Sequence, residues 1–286
     1  MVMAAGCQMN EVEQEAPLPP PVPRIAVQQP PAADSIEYES EGGRKLKMDV
    51  YKPKSGTDLH RGVILIHGGG WIGGDRSQMA EIGQSLANTG FTGLSIDYTL
   101  AREKLWPAQL EDVRAAVRYV RQGAKKLGID PKWIGAAGVS AGGHLSLFLG
   151  STDIPVAGVS SKVQSVVSIS GIHDLNQPLT PQGDTYRIIE QLLGEKGQPD
   201  HDARRKASPI EAISKSSAPT LFVQGSADPL VPREQSDRAA ERLKKAHVEE
   251  RVILVSGMGH GIQGRSPDEQ KAMQEIAEWL KRTLHA

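Results

Sequence analysis

Ser140 is the residue of this chain whose surroundings most clearly suit a chemical role. It lies in the run Gly138-Val139-Ser140-Ala141-Gly142, which has the Gly-x-Ser-x-Gly pattern of a nucleophilic serine. Glycines on both sides permit a sharp, strained turn from a strand into a helix, and such a turn exposes the serine hydroxyl. Apolar residues 133–139 before the pattern predict the strand, and a leucine-rich stretch after it predicts the helix. We therefore predict that Ser140 is a nucleophile.

A serine hydroxyl is a poor nucleophile at neutral pH unless a base removes its proton, and an acid must orient that base. Asp228 follows a short apolar run at 220–223, and His260 follows another at 251–255 within a glycine-rich turn. Both positions lie just beyond the carboxyl end of a predicted strand, where open α/β sheets gather their sites. The chain order Ser, Asp, His predicts His260 as general base and Asp228 as its orienting acid.

Competing interpretations exist for both partners. An Asp before a proline, as Asp228 is before Pro229, is often only a turn former. His173 and Asp174 could mimic a base and its acid, but neighbouring side chains at a strand end point apart. Other histidines follow no predicted strand that comes after Asp228; they are His60, His67, His144, His201, His247 and His285.

A glycine-rich loop follows the apolar run 63–66 and reads His67-Gly68-Gly69-Gly70. Its backbone N–H groups could stabilise the oxyanion that forms during acyl transfer. We predict that the N–H groups of Gly69, Gly70 and Ala141 form this oxyanion hole, and that Trp71 contacts the substrate. A phosphate site is the alternative for such a loop, but no Gly-x-Gly-x-x-Gly frame opens a predicted helix here, and no Lys-Ser/Thr follows the third glycine.

The predicted elements alternate between strands and helices, which is typical of an α/β fold with a mostly parallel central sheet and helices on both faces. Residues 36–40 and 46–51 alternate apolar and polar side chains and predict half-exposed edge strands. An apolar stripe predicts one helix over 107–127, and a capping box at Ser266 predicts a last helix. Residues 172–217 predict a small insertion over the active site, built around a helix at 186–193. Further strands are predicted at 133–139, 163–169, 220–223 and 251–255.

Composition argues against several classes of partner. The 33 basic and 34 acidic residues form no long run of one sign, so we expect neither nucleic acid nor an anionic membrane as a partner. No apolar stretch reaches the ~18 residues of a transmembrane helix. One cysteine and no His-Glu-x-x-His pattern predict no metal, and the chemistry needs no cofactor.

Residues 1–33 differ from the rest of the chain. The small residues Ala4-Ala5-Gly6 before Cys7 resemble the end of a bacterial lipoprotein signal, and a proline-rich stretch after it predicts an extended tether. This interpretation implies a lipid anchor at Cys7 and an extracytoplasmic bacterial location. An ordinary disordered terminus of a cytoplasmic protein is the alternative. The globular domain is predicted over 34–286.

Taken together in order, these motifs resemble a known family. They are His67 to Trp71 with Gly74 and Asp75, Asp97 with Tyr98, Gly138 to Leu145, Ala207 to Ile210, Asp228 to Pro232, and Gly257 to Ile262. The set is similar to the acetyl/feruloyl-esterase-like branch near the hormone-sensitive-lipase family. The resemblance implies the α/β-hydrolase fold and cofactor-free hydrolysis of short esters. Thr99 and Ile262 depart from the pattern, which often has arginine at the first position and an aromatic residue at the second.

Three functions follow from these observations. The first is a serine carboxylesterase acting on acetyl esters of sugars or on small aryl and alkyl esters. An arylformamidase or related amidase is the second, because it would use the same triad and shares the His-Gly-Gly-x-Trp pattern. A non-catalytic binding protein of the same fold is the third, although the complete triad argues against it.

Overall fold

A computed structural model describes residues 34–40, 42–177, 184–196 and 198–285. One sheet of eight strands, in the order β1-β2-β4-β3-β5-β6-β7-β8, forms its centre. β1 and β2 pair antiparallel, as do β2 and β4, and every other pair is parallel. The strands are β1 Asp34–Glu39, β2 Lys45–Tyr51, β3 Gly62–Ile66, β4 Thr92–Ile96, β5 Ile134–Val139, β6 Ser165–Ile169, β7 Thr220–Gly225 and β8 Glu250–Val255.

Helices cover both faces of this sheet, as predicted. In β3, Ile64 and Ile66 pack with α2 and α4 on one face, whereas Val63 and Leu65 pack with α1 and α8 on the other. All four side chains are fully buried, which explains the uninterrupted apolar run. The helices are α1 Ala80–Asn88, α2 Ala108–Gln122, α3 Ala124–Leu127, α4 Ala141–Ser151, α5 Asp184–Leu193, α6 His201–Lys206, α7 Glu234–Lys245 and α8 Pro267–Thr283.

The structure corrects two predicted elements. β2 is an interior strand because it pairs with β4 on the side opposite β1, so of the two strands predicted at an edge β1 alone lies there. The helix predicted over 107–127 ends at Gln122, and after Gly123 a single turn, α3, closes at the left-handed Gly128. The capping box at Ser266 is confirmed in its first half, because the Ser266 hydroxyl accepts a hydrogen bond from the Glu269 N–H.

The predicted insertion contains two of the helices, α5 and α6. Ile189 and Leu192 of α5 are buried in the core, and the Leu192 carbonyl accepts a hydrogen bond from the Trp106 N–H. On the same helix, Ile188 lies against Gly70 of the glycine loop. The covering role of residues 172–217 stays a prediction.

The predicted leader, with Cys7 and its proline-rich tether, lies outside the described residues. Within the described part, no helix combines the length and apolar character that a membrane crossing requires.

Candidate active site

Ser140 lies at the junction of β5 and α4 in a strained backbone conformation, with φ 55° and ψ −116°. Few non-glycine residues adopt a positive φ, and those that do are often at functional sites. The Ser140 N–H donates a 2.8 Å hydrogen bond to the Ile169 carbonyl, which holds the turn against β6. The neighbouring glycines are required, since a Cβ on Gly142 would lie 2.0 Å from the Ile66 carbonyl oxygen.

This contact makes Gly142→Ala a test of the turn. The added methyl group would force β3 and α4 apart, so we expect the free energy of unfolding to fall by about 3 kcal/mol. Urea unfolding measures the change. Gly42→Ala is the control, because its Cβ would meet no atom within 4 Å. Equal unfolding midpoints for the two variants would contradict the steric argument.

Asp228 and His260 form a hydrogen-bonded pair across the ends of β7 and β8. His260 Nδ1–H lies 3.0 Å from Asp228 Oδ2 and 3.1 Å from Oδ1. The Asp228 carboxylate also accepts backbone N–H groups of Leu230 and Val231 at 2.9 and 3.0 Å, and its side chain is 1% exposed. Burial acts to raise the pKa of Asp228, but the hydrogen bond from His260 and those from the backbone outweigh it and lower the pKa. Asp228 is thus held as a carboxylate that faces the imidazole.

Ser140 and His260 line one cavity of about 260 Å³. Since Asp228 occupies Nδ1 of the imidazole, Nε2 is the nitrogen left to exchange a proton with the serine hydroxyl. Larger cavities of about 450 and 500 Å³ lie beside β1 and beside His67, and neither is lined by Ser140 or His260. The structure therefore brings the three predicted triad residues to one edge of the sheet.

Two of the three predicted oxyanion donors lie beside Ser140, because Gly69 belongs to the same cavity and Ala141 directly follows the nucleophile. Gly69 lines the cavity with a φ of 106°, and a Cβ there would lie 2.2 Å from the Gly73 carbonyl oxygen. Across the described residues, the N–H groups of Gly69, Gly70 and Ala141 have no hydrogen-bond acceptor. Gly70 is not among the residues lining the cavity and faces Ile188. The free N–H groups of Gly69 and Ala141 are therefore the donors best placed for an oxyanion.

Trp71 takes a different place from the one predicted. Its side chain is fully buried, and the ring meets the edge of His144 at a centroid distance of 4.9 Å. It does not line the cavity that holds Ser140. Its predicted contact with substrate has no support in this position, and Trp71 instead anchors the glycine loop to the core.

His173, the competing base, is also in the core. It is fully buried, its Nε2 lies 3.2 Å from the Ser168 hydroxyl, and its ring packs against Phe222. His67 contributes to loop position, since its ring stacks on Tyr98 at 4.3 Å.

Two polar residues that sequence reasoning missed support the triad. Gln224, at the end of β7, donates to Asp228 Oδ2 at 3.2 Å and to the Val231 carbonyl at 3.0 Å. Ser170 follows β6 with a φ of 49°, and its hydroxyl accepts a 3.3 Å hydrogen bond from the Gly261 N–H beside His260. A polar residue ending a buried apolar strand was the available signal in both cases.

No set of three or more His, Cys, Asp or Glu side chains is placed to hold a metal ion within the described residues.

The chain is similar to several known proteins. The BD-FAE family model matches residues 48–243, which is more than half of the chain. Esterase LipC of Mycobacterium tuberculosis is 33% identical over 212 residues, covering 70% of this chain and 52% of LipC. The arylesterase of Saccharolobus solfataricus is 28% identical over 255 residues, covering 83% of this chain and 79% of that protein. The chain also covers 56% of Esterase LipQ of M. tuberculosis and thus spans about half the length of several curated relatives that it matches.

Solved structures are similar over most of the chain. A truncated form of a carbohydrate esterase from gut microbiota superposes with a TM-score of 0.77 at 27% identity, covering 88% of this chain and 96% of that one. An acetyl ester-xyloside bifunctional hydrolase from Caldicellulosiruptor lactoaceticus gives a TM-score of 0.75 at 25% identity, covering 88% and 97%.

Sheet topology and the similarity to solved structures define the α/β-hydrolase fold. The chain belongs to the BD-FAE family. The fold and the family resemblance predicted from the motifs are both confirmed.

Proposed function

We propose that the protein is a serine carboxylesterase that hydrolyses short-chain esters through an acyl-enzyme. The observation that carries this proposal is the pairing of His260 Nδ1 with the buried Asp228 carboxylate, in the cavity that also holds the strained Ser140. Relatives and structural neighbours named as esterases support ester hydrolysis over the amidase alternative.

In the proposed cycle, Ser140 Oγ attacks the ester carbonyl carbon while His260 Nε2 takes the hydroxyl proton. The Asp228 carboxylate stabilises the imidazolium that forms, and the N–H groups of Gly69 and Ala141 stabilise the oxyanion. The imidazolium then gives its proton to the leaving alcohol. Water repeats the sequence on the acyl-enzyme and frees the carboxylic acid.

The substrate is proposed to carry a short acyl group. The cavity at Ser140 measures about 260 Å³, slightly below the ~300 Å³ at which pockets for drug-sized ligands begin. We expect turnover of 4-nitrophenyl acetate and butyrate, slow turnover of the palmitate ester, and little release of formate from N-formylkynurenine. Parallel assays on the four compounds test this. Faster hydrolysis of the formamide than of the acetate would favour the arylformamidase, and inertness toward all four would favour a binding protein.

A lipid anchor at Cys7 is a further part of the proposal. It rests on the small residues before Cys7 and the proline-rich stretch after it. We expect the unmodified protein in the membrane fraction of a bacterial host and the Cys7→Ser variant outside it. Equal distributions of the two proteins between the fractions would refute the anchor.

A further inference from the structure

A second cavity, of about 380 Å³, continues from the active site and lies between α1 and α8. It shares Ile82, Ile262 and Gln263 with the cavity that holds Ser140 and His260. The two cavities therefore adjoin along these three side chains, and we call the cavity between α1 and α8 the helix groove. Its volume lies in the range of about 300 to 1,000 Å³ that is usual for small-ligand pockets.

The helix groove lies on the alcohol side of the ester. In the proposed cycle the leaving oxygen receives its proton from His260, so the alcohol must lie next to this imidazole. Ile262 and Gln263 follow His260 by two and three residues, and they form the junction between the two cavities. An alcohol longer than a few atoms would extend from His260 across this junction into the groove.

Side-chain chemistry of the groove suits a neutral, hydroxyl-rich group. Gln270 and Gln274 lie one turn apart on α8, Ser85 lies on α1, and Thr89 caps the C-terminus of α1, so amides and hydroxyls line the cavity from both sides. Amide groups both donate and accept hydrogen bonds, as sugar hydroxyls require. Gln270 Nε2 donates a 3.3 Å hydrogen bond to the Gly264 carbonyl, which leaves its Oε1 to accept one from a ligand. Within the described residues, the side-chain amide of Gln274 makes no hydrogen bond and is free for a ligand.

The remaining lining argues against two other kinds of alcohol. Among the described residues of the groove, none is aromatic, so no ring is present on which an aryl alcohol could stack. Glu81 is the charged residue of the lining, and its carboxylate disfavours an anionic alcohol. Ile262 stands at the junction where the family resemblance often has an aromatic residue, and its smaller side chain occupies less of this passage.

We propose that the helix groove is the binding subsite for a glycosyl leaving group, and that Gln270 and Gln274 determine the preference for sugar esters over simple alkyl esters. This inference rests on the proposed esterase function and assigns the alcohol part of its substrate.

The test compares two acetyl esters that differ only in the alcohol, 6-O-acetylglucose and ethyl acetate, with released acetate as the readout for both. The unmodified enzyme is expected to have the higher kcat/KM on the sugar ester. In Gln270→Leu/Gln274→Leu, the ratio of kcat/KM for the sugar ester to that for ethyl acetate should fall at least about fivefold, mainly through KM, because two hydrogen bonds to the bound sugar are lost.

Gln84→Leu is the matched control, because Gln84 lies on α1 but does not line the groove, and its amide hydrogen-bonds to Asn88. The ratio should stay unchanged in this variant. Three results would overturn the subsite while leaving the esterase function intact. They are an equal fall of the ratio in the control, an unchanged ratio in the double variant, and a preference of the unmodified enzyme for ethyl acetate. Failure of the unmodified enzyme to hydrolyse either ester would overturn the proposed function itself.

Discussion

Ser140→Ala and His260→Ala are each expected to lower kcat on 4-nitrophenyl acetate by about 10⁴, and the double variant is expected to lower it no further. The physical reason is that serine, imidazole and carboxylate act as one unit. Without His260 the hydroxyl keeps its proton, and without Ser140 the imidazole has no proton to accept. Each single loss therefore removes the same acyl-enzyme route.

Initial rates on the purified variants measure this effect, with circular dichroism as the check on folding. His201→Ala is the matched control, because His201 is exposed on α6 and hydrogen-bonds to Asn176 away from the cavity. A multiplicative loss in the double variant, near 10⁸, would show that the two residues act independently. Activity that survives Ser140→Ala would assign the nucleophile to another residue.

Three strands that lead into the site, β3 to the glycine loop, β5 to Ser140 and β7 to Asp228, could be predicted from the sequence because their surroundings are simple. β3, β5 and β7 are covered by helices on both faces, and their residues are correspondingly buried and mostly apolar. A polar or glycine-rich segment follows each of them, so the change in pattern marks the functional edge of the sheet. The order Ser, Asp, His then predicts which residues meet.

Other elements could not be predicted, for reasons that the structure makes plain. The sequence does not predict β4, because Gly93 and Ser95 interrupt its apolar run. Because Gly93 has no side chain, α1 packs closely against β4 at this position, through Gly83. β2 was assigned to an edge because alternation reports which face is buried, and not which backbone groups are hydrogen-bonded to a neighbour. The break at Gly123 was missed because the apolar stripe continues through Ala124.

For residues that act through others, the sequence offers only a position at a strand end and not a role. Gln224 and Ser170 are single polar residues at strand ends, and no motif marks either of them. Only the fold reveals that they lie within hydrogen-bond distance of Asp228 and of the backbone beside His260. Trp71 shows the reverse case, in which a residue within a recognisable motif serves packing.

Two buried histidines outside the triad are expected to make the free energy of unfolding fall steeply as the pH decreases below 6.5. Burial lowers the pKa of His144 to about 4, and burial together with the nearby His144 lowers the pKa of His173 to about 3. Both Nδ1 atoms are buried with no hydrogen-bond partner in the described part of the chain, so a proton on either would be an uncompensated buried charge.

The direction of this pH dependence follows from the number of protons that the folded and the unfolded chain bind. Above pH 6.5 both histidines are neutral in the folded and the unfolded chain, and their contribution to stability is complete. As the pH falls from 6.5 toward 4, the unfolded chain takes up two protons that the folded chain does not, and this contribution is lost. Each proton lowers the free energy of unfolding by about 1.4 kcal/mol per pH unit, so the pair lowers it by about 2.8 kcal/mol per pH unit.

Urea unfolding at intervals between pH 7 and pH 4.5 measures this slope. Replacing His144 by Gln should lower this slope by the contribution of one proton, about 1.4 kcal/mol per pH unit. The decrease does not depend on the variant's own stability, because the slope depends only on proton uptake. Proton NMR of the folded enzyme gives an independent reading, in which the imidazole signals of His144 and His173 should stay in their neutral positions down to pH 5. Two results would contradict this prediction: a stability that does not change with pH, or an imidazolium signal from either ring at pH 5. Either would mean that water or an acceptor reaches these rings. The buried packing of His144 among Trp71, Trp106 and Phe148 would then be wrong.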